Sequence, residues 1–307
     1  MDMKVLVTGG LGFLGGGIVD ALLEKGAEVV IVDKNKKSRE PKDRQKMTIF
    51  INDANKTKMD ALKREHFDLI FHFGSPCSNL QFMKNPHALD ETVSGTLNVF
   101  EIAKATGAKV VYPSSCTVYA GELPQSESIV LPKPTTLYSV GKLACENMAY
   151  YYKKVFGVKS TGLRIFVAYG DREEYKGNLA SAVTQFLISI EKGKQPIIWG
   201  DGTQFRDAIY IRDAVSLIMH VALDDNSPMV INVGTGAATT FNDIVAIINK
   251  QLNKNIKPRY VPKPNWYIGN NKADMSLAER LYNFKPMNLA EGLKQYILYR
   301  KEKGLLE

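Results

Sequence analysis

Tyr138 and Lys142 stand four residues apart in Tyr-Ser-Val-Gly-Lys. On a helix, residues i and i+4 share a face, so the Lys142 ammonium lies beside the Tyr138 phenol. A nearby cation favours the phenolate and lowers a tyrosine pKa from its ordinary value of about 10. Such a tyrosine can take a proton from an alcohol near neutral pH. Alone, the spacing marks no more than a helix face. Ser115 adds to it. It follows a short apolar run, 110–113, in Pro-Ser-Ser-Cys-Thr-Val-Tyr. At the carboxyl end of a central strand it faces the crevice where open α/β sheets bind ligands, and its hydroxyl can hold the oxygen that loses the proton. Cys116 reads either as a proton-transferring thiol or as a small buried hydrophobe.

A second group of residues sits at the start of the chain. Thr8-Gly9-Gly10-Leu11-Gly12-Phe13-Leu14-Gly15 follows an apolar run and opens a helical pattern. Glycines at 9, 12 and 15 permit a tight turn, close approach to a pyrophosphate and close helix–strand packing; the helix N-terminus supplies N–H groups to the phosphates. Asp33 ends the next apolar run. A carboxylate there can bind the ribose hydroxyls of adenosine and repels a 2′-phosphate, which favours NAD over NADP. Its other reading is a helix cap or turn residue. Lys34 and Lys36 leave room for NADP. Asp53, after Asn52, reads as an adenine contact or as a turn residue.

These residues need a scaffold, and the first half supplies one. Apolar strand-like runs at 4–7, 28–32, 49–51, 69–73, 110–113 and 160–166 alternate with helical patterns at 14–23, 88–106 and 139–156. That alternation predicts an α/β fold with a doubly wound parallel sheet covered on both faces. After Tyr169 the pattern loosens into polar loops at 170–178 and 200–206. A helix at 211–223, a strand at 230–233 and helices at 241–252 and 289–301 follow. The expected division is a dinucleotide-binding domain over 1–166, with late elements from 207–236. A smaller lobe is expected from 167–206 and 237–307.

The bulk numbers narrow the function. The chain has 307 residues and a net charge of +8. The charge reads as a solvated basic surface or as attraction for an anion such as a dinucleotide or a sugar diphosphate. Nucleic acid is not expected, because no basic run is interleaved with aromatics. The densest cluster, Lys34, Lys36, Lys37 and Arg39, reads as a loop. Three cysteines argue for a reducing compartment and against a disulfide framework. The N-terminus has no signal-peptide layout, and no apolar stretch reaches the roughly 20 residues that cross a bilayer. A cytoplasmic protein without a metal site is expected.

Taken together, these segments resemble the extended short-chain dehydrogenase/reductase family, and within it the nucleotide-sugar epimerases and dehydratases. The likeness runs nearly end to end: TGGLGFLG at 8–15, HFGSP at 72–76, PSSCTVY at 113–119, YSVGK at 138–142, LRIFVAYG at 163–170, GDGTQFRD at 200–207 and NVGTG at 232–236. The resemblance implies a Rossmann sheet with NAD held by Gly9, Gly12, Phe13, Leu14, Gly15, Asp33, Lys34, Asn52, Asp53, Phe73, Gly74, Ser75, Thr92, Ser114, Tyr138 and Lys142. It makes Tyr138 the base, Lys142 its tuner and ribose holder, and Ser115 the partner of the substrate hydroxyl. Around a nucleotide diphosphate-sugar it places Ser115, Cys116, Thr117, Tyr138, Val167, Asn178, Leu179, Arg206 and Asp274. Arg206 would meet the diphosphate with its planar fork; a surface ion pair with Asp207 or Asp213 is its other reading. Asp213 reads as a helix cap.

The chain departs from the family in places. Cys116-Thr117 stands where dehydratases and decarboxylases carry an acid. Val167 replaces a usual asparagine, Thr92 another, and Gly74-Ser75-Pro76 the small-alanine pair. The missing acid favours an epimerase, most simply at C4, over a dehydratase or a keto-sugar reductase; a cofactor-binding protein without turnover is the remaining class. The helices at 88–106 and 139–156 carry apolar residues beyond one face, among them Tyr150, Tyr151 and Phe156. In the family such helices pair in a homodimer.

Overall fold

The computed structural model of the chain describes residues 3–34, 47–51, 54, 57–263, 267 and 269–306, with backbone alone at 57 and 58. Lys36, Lys37, Arg39, Asn52 and Asp53 lie outside the described residues. The elements of the first half are β1 (Lys4–Thr8), α1 (Phe13–Glu24), β2 (Glu28–Asp33), β3 (Met47–Ile51), β4 (Leu69–His72), α2 (Asn79–Lys84), α3 (Ala88–Thr106), β5 (Lys109–Ser115), α4 (Leu137–Phe156) and β6 (Ser160–Ile165). Then come β7 (Val167–Tyr169), α5 (Ala182–Glu191), β8 (Ile197–Trp199), β9 (Phe205–Arg206), β10 (Ala208–Tyr210), α6 (Ile211–Leu223) and β11 (Val230–Val233). The chain closes with β12 (Thr239–Thr240), α7 (Phe241–Leu252), β13 (Arg259–Val261), α8 (Ser276–Tyr282) and α9 (Leu289–Glu302).

Among the described residues the main sheet has seven strands in the order β11-β6-β5-β4-β1-β2-β3. β1 is parallel to β2 and to β4, β2 to β3, and β4 to β5. The chain winds outward from β1 to β3, then crosses back to β4 and winds the other way. The carboxyl ends of β1 and β4 are therefore the switch point where a crevice opens. The buried apolar runs of β2 and β4 are what a sheet covered on both faces requires. This is the expected doubly wound α/β fold.

The chain forms two compact units, Met1–Val118 with Pro134–Arg164 and Val215–Ile231, and Tyr119–Lys133 with Ile165–Ala214 and Asn232–Glu307. The expected boundary differs: 119–133, 165–166, 207–214 and 232–236 fall in the second unit. Residues 119–133 leave the first unit, because Gln125 bridges Ala273 and its carbonyl accepts from Asn232 Nδ2 at 2.8 Å. The first turn of α6 also belongs to the second unit, where Asp213 Oδ2 accepts from Met287 N at 2.9 Å. Asp213 thus ties two segments together.

The second unit is held by α5, α7 and α9 with three short strand pairs, β7–β10, β9–β12 and β8–β13. α5 and α8 were not foreseen. Phe186 of α5 meets Phe241 of α7 edge to face, at 5.5 Å between ring centres. Arg300 of α9 grips Glu191 of α5 with contacts of 2.8 and 2.6 Å, both side chains buried. Gly292 lets α9 close on this core, since a Cβ there would strike the Tyr169 hydroxyl.

Candidate active site

α4 opens on a reciprocal cap. Thr136 Oγ1 accepts from Ser139 N at 3.1 Å, and Ser139 Oγ accepts from Thr136 N at 3.2 Å. The cap sets where the first turn begins, and so which way Tyr138 and Lys142 project. Tyr138 is 8% exposed and Lys142 2%. Ser115 ends β5, as expected, and is buried. Thr117 donates its N–H and its hydroxyl to Ser115 Oγ at 3.2 and 3.1 Å. A side-chain hydrogen bond between Ser115 and Tyr138 favours the phenolate.

The Lys142 ammonium is beside Tyr138, but over its ring: 5.4 Å from the ring centre, and 3.5 Å from Ser75 Oγ, to which it donates. Burial dominates both groups. It pushes the Tyr138 phenol well above 10 and the Lys142 ammonium below its usual range. The expected lowering of the tyrosine by the lysine is not seen: the groups that act on the phenol are its burial, Ser115 and the nearby thiols, and the net shift is upward. The thiols of Cys77, Cys116 and Cys145 also act on the phenol, each raising it.

The glycine turn lies at the end of β1. Gly9 has φ +70°, and a Cβ there would stand 2.5 Å from the Phe73 backbone. A Cβ on Gly15 would run into the Gly9 carbonyl oxygen. Gly12 N donates to Gly9 O at 3.0 Å and caps α1 with no side chain. The first turn of α1 carries no acidic residue. Gly12 is exposed and Phe13 and Leu14 are half-buried, so the turn offers a positive helix end at an accessible surface. That cradle fits a pyrophosphate. Asp33 Oδ2 accepts from Leu11 N at 3.0 Å, which braces the turn from below. Lys34 is paired with Glu91 at 3.2 Å. Gly74 N donates to Thr8 Oγ1 at 3.1 Å, which joins the ends of β1 and β4.

Ser114 and Thr92, also expected as cofactor contacts, are bonded within the protein as well. Ser114 Oγ donates to Glu146 Oε1 at 2.6 Å, and Arg164 binds the same carboxylate at 3.0 and 2.8 Å. Thr92 is fully buried, and its hydroxyl donates to Ala88 O at 2.8 Å. Its methyl lies against Gly141, which packs α3 on α4.

In the second unit, the Arg206 guanidinium lies between the rings of Phe241 and Tyr267, at 5.2 and 5.1 Å from their centres. Its Nη1 donates to Phe205 O at 2.9 Å and to Gly269 O at 3.0 Å. The Asp207 carboxylate is turned to Thr235, Gly236 and Ala273, from which it accepts four bonds of 2.7 to 3.0 Å. A pocket of about 400 Å³ opens beside Arg206, lined by Gly200, Asp201, Thr203, Gln204, Lys263, Gly269 and Asn270. Val167 begins β7 and is half-buried; Asn178 is exposed and Leu179 half-buried on a 3-10 turn, Glu173–Leu179. Asp274 Oδ1 accepts from Ser276 N and Oγ at 3.0 and 2.6 Å, a local turn just before α8.

Sequence reasoning passed over several residues that hold the site. His72, Thr8, Thr96 and Cys145 form a buried polar chain beneath it. Glu146 and Arg164 form a buried pair behind Ser114. The available signal was a histidine ending the apolar run Leu-Ile-Phe-His and an arginine inside Gly-Leu-Arg-Ile-Phe. A polar residue in a doubly covered strand must find a buried partner. Among the described residues there is no cluster of His, Cys, Asp or Glu fit for a metal, and no helix long and apolar enough to cross a membrane.

A parallel Rossmann sheet, a glycine turn at its switch point and a Ser/Tyr/Lys group at the end of β5 define a nucleotide-cofactor enzyme. The NAD dependent epimerase/dehydratase family matches residues 5–234, and the chain belongs to it. A putative UDP-glucose 4-epimerase of Methanocaldococcus jannaschii is 30% identical, over 97% of this chain and 98% of its own. A UDP-glucuronic acid decarboxylase of Danio rerio is 28% identical, over 96% of this chain and 72% of its own. Among solved structures, a UDP-N-acetylglucosamine 4-epimerase from Methanobrevibacter ruminantium, in complex with UDP-N-acetylmuramic acid, superposes with a TM-score of 0.90. It is 28% identical, over 98% of this chain and 99% of that one.

Proposed function

We propose that this NAD-dependent enzyme epimerises a nucleotide diphosphate-sugar at C4. The observation that carries the reading is the hydrogen-bond series Thr117 to Ser115 to Tyr138 at the carboxyl end of β5. It orients one phenol oxygen toward one alcohol, with no carboxylic acid at 116–117 to assist loss of water.

In this reading Tyr138 takes the proton of the sugar hydroxyl and later gives it back. Ser115 holds the oxygen while it changes from alcohol to ketone. Lys142 holds the cofactor ribose and supplies the positive charge near the phenol. The glycine turn, Asp33 and the Phe73–Ser75 segment would hold NAD, which would supply a hydride acceptor beside the sugar carbon. Arg206, held planar between Phe241 and Tyr267, binds the diphosphate bidentately. The adjoining pocket, lined by polar residues and Lys263, offers hydrogen-bond partners to the nucleotide end of the substrate. Cys116 and Thr117, beside Ser115, shape the sugar site.

A UDP-glucuronic acid decarboxylase among the relatives keeps a second reading open: net change at the sugar, by loss of a group or by reduction. Mass spectrometry with separation of isomers distinguishes them. The purified chain is incubated with UDP-, GDP-, CDP- and dTDP-sugars, with and without NAD(P)H. A new isomer of unchanged mass, formed without added reductant, supports the epimerase. A product lighter by water or carbon dioxide, or heavier by two hydrogens, overturns it.

The chain is also proposed to act as a homodimer in the cytoplasm. Leu97, Tyr150, Tyr151, Val155 and Phe156 leave an apolar stripe exposed on α3 and α4. A solution mass of one chain would refute the dimer. Cys77, Cys116 and Cys145 are thiols, which suits a reducing compartment.

A further inference from the structure

We infer that His72 is a positioning residue for Lys142, closing a ring of buried and half-buried contacts that fixes where the ammonium sits beside Tyr138. The inference rests on the role given to Lys142 in the proposed reaction.

The ring can be followed atom by atom. Lys142 Nζ donates to Ser75 Oγ at 3.5 Å. The residue before Ser75 is Gly74, whose N–H donates to Thr8 Oγ1 at 3.1 Å. Thr8 Oγ1 lies 2.8 Å from His72 Nδ1, and His72 Nε2 lies 3.4 Å from Thr96 Oγ1. Thr96 Oγ1 lies 3.2 Å from Cys145 Sγ. Cys145 is on α4, one turn beyond Lys142. His72, Thr8, Thr96, Cys145 and Lys142 are each no more than 2% exposed.

The directions of the bonds follow from one carbonyl. Thr96 Oγ1 donates its only hydrogen to Thr92 O at 2.8 Å, because a carbonyl can only accept. Towards His72 it must therefore accept, so Nε2 carries the hydrogen. Nδ1 is then bare and accepts from the Thr8 hydroxyl. Thr8 Oγ1 is left to accept from Gly74 N. The Cys145 thiol donates to Thr96. Every donor has one place to go, and His72 is held in one neutral tautomer. Burial, with the Lys142 charge nearby, keeps the imidazole neutral down to a pH of about 3. A neutral ring with one fixed donor and one fixed acceptor joins β4, β1, α3 and α4 without adding charge beside the lysine.

Both arms of His72 end at Lys142. One reaches its ammonium through Thr8, Gly74 and Ser75; the other reaches its helix through Thr96 and Cys145. The titratable groups facing the ammonium are His72 of β4, Cys77 of the segment after β4, and Tyr138 and Cys145 of α4.

The test separates the arms. His72→Asn keeps an acceptor near Thr8 and loses the Thr96 contact; His72→Gln reaches Thr96 and loses the Thr8 contact. Cys145→Val breaks the thiol arm in a chain that keeps His72, and Cys145→Ser keeps a donor to Thr96. The Lys142 side-chain carbon signal is followed against pH by NMR in lysine-labelled protein and assigned by its loss in Lys142→Met. Both His72 variants are expected to raise the Lys142 titration by roughly one pH unit, as the loosened ammonium regains solvent. Cys145→Val is expected to move it the same way, and further than Cys145→Ser. Unchanged Lys142 titration in the His72 and Cys145→Val proteins, whatever their melting temperatures, overturns the inference. Turnover of the sugar-nucleotide panel is scored separately. A wild-type chain that converts none of it defeats the proposed reaction, while the titration still decides the ring.

Discussion

Ser115 Oγ accepts two bonds from Thr117, at 3.2 and 3.1 Å, and its side chain makes a hydrogen bond with the Tyr138 phenol that favours the phenolate. The order Thr117, Ser115, Tyr138 makes graded losses expected. Tyr138→Phe removes the base and should lower kcat by about a thousandfold while NAD stays bound. Ser115→Ala should cost less, because the phenol remains. Thr117→Val removes one neutral hydrogen bond and should cost about fivefold. Steady-state rates with a converted sugar nucleotide, alongside release and assay of bound NAD, check the order. Equal losses in all three variants would refute it.

The glycine turn makes a prediction about space. A Cβ at residue 15 meets the Gly9 carbonyl, and Gly9 is itself pinned against the Phe73 backbone with φ +70°. Neither backbone can yield cheaply. Gly15→Ala should therefore strip the chain of NAD and lower its melting temperature together. Added NAD should recover little of the loss. A variant that binds NAD as the wild type does would show that the turn relaxes.

The parts of this arrangement differ in how far they can be read in advance. Strand and helix periodicity exposed the sheet, because runs such as Val-Val-Ile-Val have one physical use in a covered parallel strand. Tyr138, Lys142, Ser115 and the glycines were legible by type and spacing. What spacing did not reveal was direction. The resemblance implied Ser114 as a cofactor contact, yet successive residues on a strand face opposite ways, and the Ser114 side chain turns to Glu146. Lys142 was correctly placed beside Tyr138, but the sequence carries no measure of burial, and burial decides both pKa shifts. The segment 119–133 and the bonds of Asp207 and Asp274 depend on partners distant in sequence or on local turns, and no periodicity encodes them.

Acid stability offers a test that needs no substrate. His72 titrates near 6.5 when unfolded and at about 3 when folded. Between those values the unfolded chain binds one proton that the folded chain refuses. Stability therefore rises with pH through this window and is lost as pH falls below about 6.5, by roughly 1.4 kcal/mol per pH unit for this group. His72→Gln removes that proton. Urea melts from pH 7 to pH 4 should show a shallower loss for the variant, even though it starts less stable. Parallel curves would mean that His72 is protonated in the folded chain.

Arg206 gains its geometry from its neighbours rather than from its charge. Two rings and two carbonyls hold the guanidinium in one plane. A lysine keeps the charge but cannot stack between Phe241 and Tyr267 or present a fork to a diphosphate. If Arg206 binds the diphosphate in the ground state and the transition state alike, Arg206→Lys should raise KM by about tenfold to a hundredfold and leave kcat nearly unchanged. The loss should also shrink for a sugar monophosphate, which offers less to the fork. A fall in kcat with KM unchanged would instead assign Arg206 an interaction made only as the hydride moves. A loss of stability without either kinetic change would make the stack with Phe241 and Tyr267 a structural feature alone.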